Sequence, residues 1–93
     1  MNYELYEVLQ EYQLKMEGLE YPIKARIIQS IRQLGQHIPI RYYWQISHYY
    51  KPKDAPLDYT PNRMHALTKD DAYRDLMSYM KGFTLNVTAN KNY

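Results

Sequence analysis

The chain contains no cysteine among its 93 residues. That absence excludes a disulfide framework, a thiol nucleophile, cysteine-based zinc or iron–sulfur centres and redox sensing by thiols. Glycine is almost as scarce, with Gly18, Gly35 and Gly82 alone. No glycine-rich phosphate loop can be assembled from them, and Ser30, Ser47 and Ser78 lie outside any G-x-S-x-G nucleophile turn. No apolar run approaches the ~18–20 residues needed to span a bilayer. The N-terminal stretch MNYELYEVLQEYQ carries acids where a secretory signal would carry a basic segment and an apolar core. A soluble, cytoplasmic protein without a membrane partner is therefore expected. In that setting the sequon Asn86-Val87-Thr88 reads as a chance match within a strand.

Phenylalanine and tryptophan each occur once, whereas tyrosine occurs twelve times. With 45% hydrophobic and 24% charged residues, the chain has the composition of a folded globular protein, and its length suits one domain over 1–93. The net charge of +2 conceals a segregation. Residues 1–20 hold five glutamates against Lys15. Residues 21–53 hold Lys24, Arg26, Arg32, Arg41, Lys51 and Lys53 with no acid. Such asymmetry bears on partners and steering more than on fold.

Apolar residues at Leu5, Val8, Leu9, Tyr12, Met16 and Leu19 have the three-and-four spacing of a helical face and predict a helix over about 2–17. Ile23, Ile27, Ile28, Ile31 and Leu34, with Pro22 in the first turn, predict a second over about 22–34. Thr68-Lys69-Asp70-Asp71 reads as an acidic capping box that opens a third helix over about 69–81, after one short turn at 61–67. Each glycine follows one of these segments and reads as a helix stop. Two stretches alternate instead. Ile38, Ile40, Tyr42, Trp44 and Ile46 predict a strand over 38–48, and Phe83, Leu85, Val87 and Ala89 predict another after Gly82.

The expected fold is a small α+β domain in the order helix-helix-strand-helix-strand, its helices packed on a small sheet. An all-α bundle with 38–50 helical is the alternative. Prolines 52, 56 and 61 make 51–61 a surface loop, in which Leu57 to Tyr59 is a candidate short edge strand, and 90–93 a frayed tail.

His37, His48 and His65 are separated by 11 and 17 residues, which matches no short metal-ligand spacing. They read as surface or loop residues, with no metal and no cofactor. Asp70, Asp71 and Asp75 are explained by the positive end of a helix dipole, and Met77, Met80 and Tyr73 by core packing. No enzyme is expected.

The remaining signal is RYYWQISHYYKPK, residues 41–53, with four tyrosines, the single tryptophan and three Lys or Arg residues. As a strand it would bury Tyr42, Trp44 and Ile46. Arg41, Tyr43, His48, Tyr49, Tyr50, Lys51 and Lys53 would then form a binding surface, extended by Lys24, Arg26 and Arg32. Exposed tyrosines bury large area at low entropic cost, which suits protein recognition. The function expected is that of a small accessory or inhibitor protein, of the kind found among phage and mobile-element products, docking on a larger nucleic-acid-handling machine. Direct nucleic-acid binding, with Arg and Lys on phosphates and tyrosines stacked on bases, is the alternative. A homodimer formed through an edge strand or the first helix is a third.

Overall fold

The computed structural model describes residues 5–31, 41–61 and 63–93. Its elements are β1 (Tyr6–Leu14), β2 (Ile23–Ser30), β3 (Tyr42–Ile46), β4 (His48–Tyr50), β5 (His65–Ala66), α1 (Lys69–Met80) and β6 (Val87–Ala89). β1, β2, β3 and β5 form one antiparallel sheet in that order, and β4 pairs with β6 in a second, two-stranded sheet. The two helices expected over 2–17 and 22–34 are thus a long β-hairpin where the chain is described. With α1 the single helix among the described residues, the fold is mostly antiparallel sheet. It is neither a helix-rich α+β domain nor an all-α bundle.

The physical reason is a β-bulge. Between Val8 and Gln10 the register with β2 shifts. The extra residue changes which parity of side chain faces the core. Leu9, Tyr12 and Leu14 all pack on the core, although Leu9 and Tyr12 are three apart, and that spacing imitates a helix. In β2 the core positions Ile23, Ala25 and Ile27 alternate strictly, while Ile28 belongs to the opposite face. Isoleucine on both faces looks helical in a one-dimensional reading. β-branched residues nevertheless favour the pleated strand.

One face of the four-stranded sheet carries Ile23, Ala25, Ile27, Trp44, Ile46 and Ala66, and α1 covers it with Ala72, Leu76 and Tyr79. Ile23, Ile27, Ile46 and Leu76 are fully buried, each contributing about 1.5–3 kcal/mol of burial. α1 matches the helix expected over 69–81. Its Thr68 hydroxyl accepts the Asp71 N–H at 3.1 Å, and Asp70 and Asp71 occupy the first turn. At its end Gly82 has no positive φ, and a Cβ there would collide with the phenol of Tyr50. This glycine makes room for Tyr50. Gly82 does follow the end of α1 as expected, whereas Gly18 ends no helix: it lies between β1 and β2 with φ +98°, and Gly35 is outside the described residues.

The strand expected over 38–48 is β3 followed by a bend at Ser47, residues 38–40 lying outside the described part. The Lys24 N–H donates to the Ser47 hydroxyl at 2.8 Å, and the Ser47 N–H donates to the Lys24 carbonyl at 2.8 Å. Beyond the bend, β4 leaves the first sheet and takes β6 as partner. The expected terminal strand is β6, and within the 61–67 turn two residues become β5. In the 51–61 loop, Tyr59 forms a bridge with Tyr50. The expected frayed tail is tied down: the Asn90 N–H donates to the Ser47 carbonyl, and the Asn90 side-chain amide donates to the Ile46 carbonyl.

Replacing Ser47 with alanine leaves the Lys24 N–H without its acceptor. Ser47→Ala is expected to lower unfolding free energy by about 1–2 kcal/mol in urea titration. Ser47→Thr, which restores the hydroxyl, is expected to recover most of that loss.

Candidate recognition surface

In an antiparallel sheet, paired residues share a face, so the register defines the side of the sheet that α1 does not cover. One row across it reads Val8, Ile28, Tyr43 and His65, and the next reads Glu11, Arg26 and Gln45. Tyr6, on the same face, meets Tyr43 edge-on with centroids 5.8 Å apart, and Tyr43 is 6.3 Å from the His65 ring. Val8 is 50% exposed and Tyr6 41%, while Ile28 forms a buried floor between them. A cleft of about 370 Å³ opens here, lined by Tyr6, Ile28, Tyr43, Trp44, Tyr49 and Asn92 among others. Among the described residues no helix packs on this face, and Tyr49 of β4 borders its cleft. Only the C-terminal residues cross it, with the Tyr93 ring 4.4 Å over the Arg26 guanidinium.

The residues expected to form one patch divide into three groups. Tyr43 and Tyr49 line the open-face cleft. Arg41 is exposed at the start of β3, where its N–H donates to the Ser30 hydroxyl at 3.0 Å, and it lines a separate cleft with Arg63, His65 and Arg74. Lys51 and Lys53 follow β4 and line neither. Lys51 is held there by its N–H to the Asn86 carbonyl and by the Thr84 hydroxyl, which donates to its own carbonyl.

Tyr50 is not a surface residue. It is 7% exposed, with Tyr59 stacked at 5.7 Å, Tyr79 at 5.0 Å and Phe83 at 4.8 Å. Tyr50 has the even parity of Tyr42, Trp44 and Ile46, so the alternation that buries Trp44 and Ile46 points it inward too; grouping it with the basic strand exit was the error. In the same cluster the Tyr79 hydroxyl donates to the Tyr59 carbonyl, and burial pushes the Tyr79 phenol well above the ordinary tyrosine value.

Of the extension residues, Lys24 is exposed. Arg26 is half-buried and donates through Nε to the Gln45 side-chain carbonyl. Arg32 lies outside the described residues. The acidic and basic segments are neighbouring strands, with Glu11 opposite Arg26. Among the described residues, however, the one ion pair within 4 Å is Arg74–Asp71 at 3.6 Å. Lys24, Arg26, Arg41, Lys51 and Lys53, the described cations of the basic segment, therefore have no carboxylate within 4 Å among the described residues.

His48 and His65 do not converge. His48 stacks on Tyr21 at 5.2 Å and His65 lies beside Tyr43, while His37 is outside the described residues. The Ser47 hydroxyl and His48 Nδ1 are 2.8 Å apart. Because that hydroxyl already accepts from Lys24, its own proton is best used toward Nδ1, which leaves the imidazole proton on Nε2. This Ser–His contact joins adjacent residues in a strand bend, with Ser47 buried. Sequence reading missed Tyr6, Val8 and Ile28 because it assigned them to helices; their alternation with Glu7 and Gln29 was the available signal. Arg63 and His65 carried none, since β5 is two residues long.

No known protein family, curated protein or solved structure matches the chain. Among the described residues no helix is long and apolar enough to cross a membrane.

Burial holds the His48 imidazole below the ordinary histidine value of 6.5. On acidification the unfolded chain therefore takes up this proton first, and the stability this residue contributes above about pH 6.5 is lost as the pH falls below it. His48→Asn, which presents an amide oxygen near the Nδ1 position, is expected to lose less stability between pH 7 and pH 5.5 than the parent in parallel thermal melts. An equal loss in both would remove His48 as the cause.

Proposed function

We propose that this chain is a binding protein without chemistry of its own, an accessory or inhibitor that docks the open sheet face on a larger protein assembly that handles nucleic acid. The carrying observation is the row Val8, Ile28, Tyr43, His65 with Tyr6 alongside. It is a contiguous apolar and aromatic strip that α1 leaves uncovered. Large, rigid aromatic side chains around a buried aliphatic floor have the composition of an interface centre, and the polar Gln45, Arg26 and Lys24 beside them suit its rim. β1 adds a nine-residue edge strand, which can accept a partner strand by backbone pairing except where the bulge interrupts it.

Direct nucleic-acid binding is the second reading, favoured by Tyr43 beside His65 with Arg41 close in sequence. It is supported less well. Glu11 sits opposite Arg26 on the same face, and Lys51 and Lys53 line neither the open-face cleft nor the Arg41 cleft, so no continuous cationic track accompanies the aromatics.

Photo-crosslinking separates the readings. Benzoylphenylalanine placed at Val8 or Tyr43 is expected to label one and the same protein in cell extract, whereas the label at Tyr73, exposed on the outside of α1, is not. Binding of oligonucleotides that weakens steeply with salt, without protein labelling from Val8 and Tyr43, would replace this proposal by the second reading.

A further inference from the structure

Along the β5 edge, where α1 packs against the sheet, two clefts meet. The outer, of about 570 Å³, is lined by Arg41, Arg63, His65, Asp71, Arg74 and Asp75 among others. The inner, of about 250 Å³, is lined by Trp44, Tyr59, Arg63, Asp75, Ser78 and Tyr79 among others. Arg63 and Asp75 belong to both, so the two form one groove with Arg63 at the junction.

Two independent features of this groove lack a partner. Arg41 and Arg63 have no carboxylate within 4 Å, the Arg74–Asp71 pair being the one ion pair among the described residues. Trp44, which lines both the inner arm of this groove and the open-face cleft, is 2% exposed, and its buried indole Nε1–H has no hydrogen-bond acceptor among the described residues. Buried donors are nearly always satisfied in folded proteins, so an orphan beside a cleft marks a place where an acceptor is missing. A guanidinium fork matches a carboxylate with two parallel N–H···O bonds. The inner arm is smaller than the ~300–1,000 Å³ typical of small-molecule pockets; it suits one inserted side chain.

We infer that this groove takes an acidic side chain of a protein partner, its carboxylate paired with Arg63 and reaching toward the Trp44 indole N–H. The groove's own Asp71 and Asp75 decide between anions. A nucleic-acid strand would carry a run of phosphates past both carboxylates. A single aspartate or glutamate seated at Arg63 brings one negative charge to a cleft where Asp71 is already paired with Arg74, and where Arg41 and Arg63 are unpaired among the described residues. The inference rests on the protein-partner reading above and gives that partner an acidic anchor at the sheet edge, separate from the apolar contact on the open face.

The single tryptophan makes the test direct, because the indole N–H contributes one cross-peak to a ¹H–¹⁵N spectrum. The probes are hexaglutamate, inorganic phosphate and hexathymidylate at matched ionic strength. Hexaglutamate is expected to shift the indole peak and to bind more tightly than either of the others. Arg63→Gln, an exposed change, is expected to weaken hexaglutamate about tenfold while keeping a dispersed, folded spectrum. A static indole peak, an undiminished affinity in Arg63→Gln, or tighter binding of hexathymidylate would each overturn the assignment. The variant Val8→Asp/Tyr43→Ala alters only the open face and is expected to bind hexaglutamate normally. Absence of photo-labelling from Val8 and Tyr43 in the otherwise unaltered chain, with hexaglutamate binding intact, therefore removes the open-face reading alone.

Discussion

A serine hydroxyl at one bend organises the two sheets. Ser47 is buried between β3 and β4, where its side chain accepts the Lys24 N–H and contacts His48 Nδ1, its N–H donates to the Lys24 carbonyl, and its carbonyl accepts from Asn90. Three segments are fastened at one residue. The strand that began against β2 can turn away without orphaning backbone groups, because the side-chain oxygen replaces the partner that the ladder would have supplied. From that turn follow the β4–β6 pairing, the entry of Tyr50 into the aromatic cluster, and the anchoring of the C-terminal residues that carry Tyr93 over Arg26.

The two faces of the larger sheet then acquire different roles from the same strands. On one, Ile23, Ala25, Ile27, Trp44 and Ile46 meet Ala72, Leu76 and Tyr79 of α1, and water is excluded. On the other, Ile28 is floored among Tyr6, Val8 and Tyr43 with no helix above it among the described residues. Among the described residues one helix serves two faces, and the second apolar strip has no helix over it. At the β5 edge the sheet ends in a strand of two residues, and beyond it a charged groove remains between α1 and the segment around Arg63, with the buried Trp44 at its inner end.

How far this was readable depended on the element. α1 was legible because its cap, its acidic first turn and its apolar spacing agree with one another. The two sides of β3 were legible because Tyr42, Trp44 and Ile46 alternate cleanly with Tyr43 and Gln45. The hairpin was misread for a definite reason. The bulge at Leu9 converts a period of two into a spacing of three, and Ile27 and Ile28 serve opposite faces while standing side by side in the chain. Tyr50 was misplaced because it was grouped with the basic exit of the strand although it shares the even parity of Trp44 and Ile46, and Ser47 looks like any polar strand residue until Lys24 is seen beside it.

Local pattern by itself determined the start of α1, the face division of β3, the charge segregation between the first and middle thirds, and the exclusion of thiol and glycine-loop chemistry. These depend on residue type and on neighbours within one turn or two pleats. Tertiary structure alone decided which apolar residues are core and which are open, since Val8 and Leu9, or Ile27 and Ile28, are chain neighbours on opposite sides of the sheet. It also brought Arg41, Arg63 and Arg74 to one groove from three separate elements. A one-dimensional reading carries no term for pairing register, and register is what assigns every side chain of a sheet to its side.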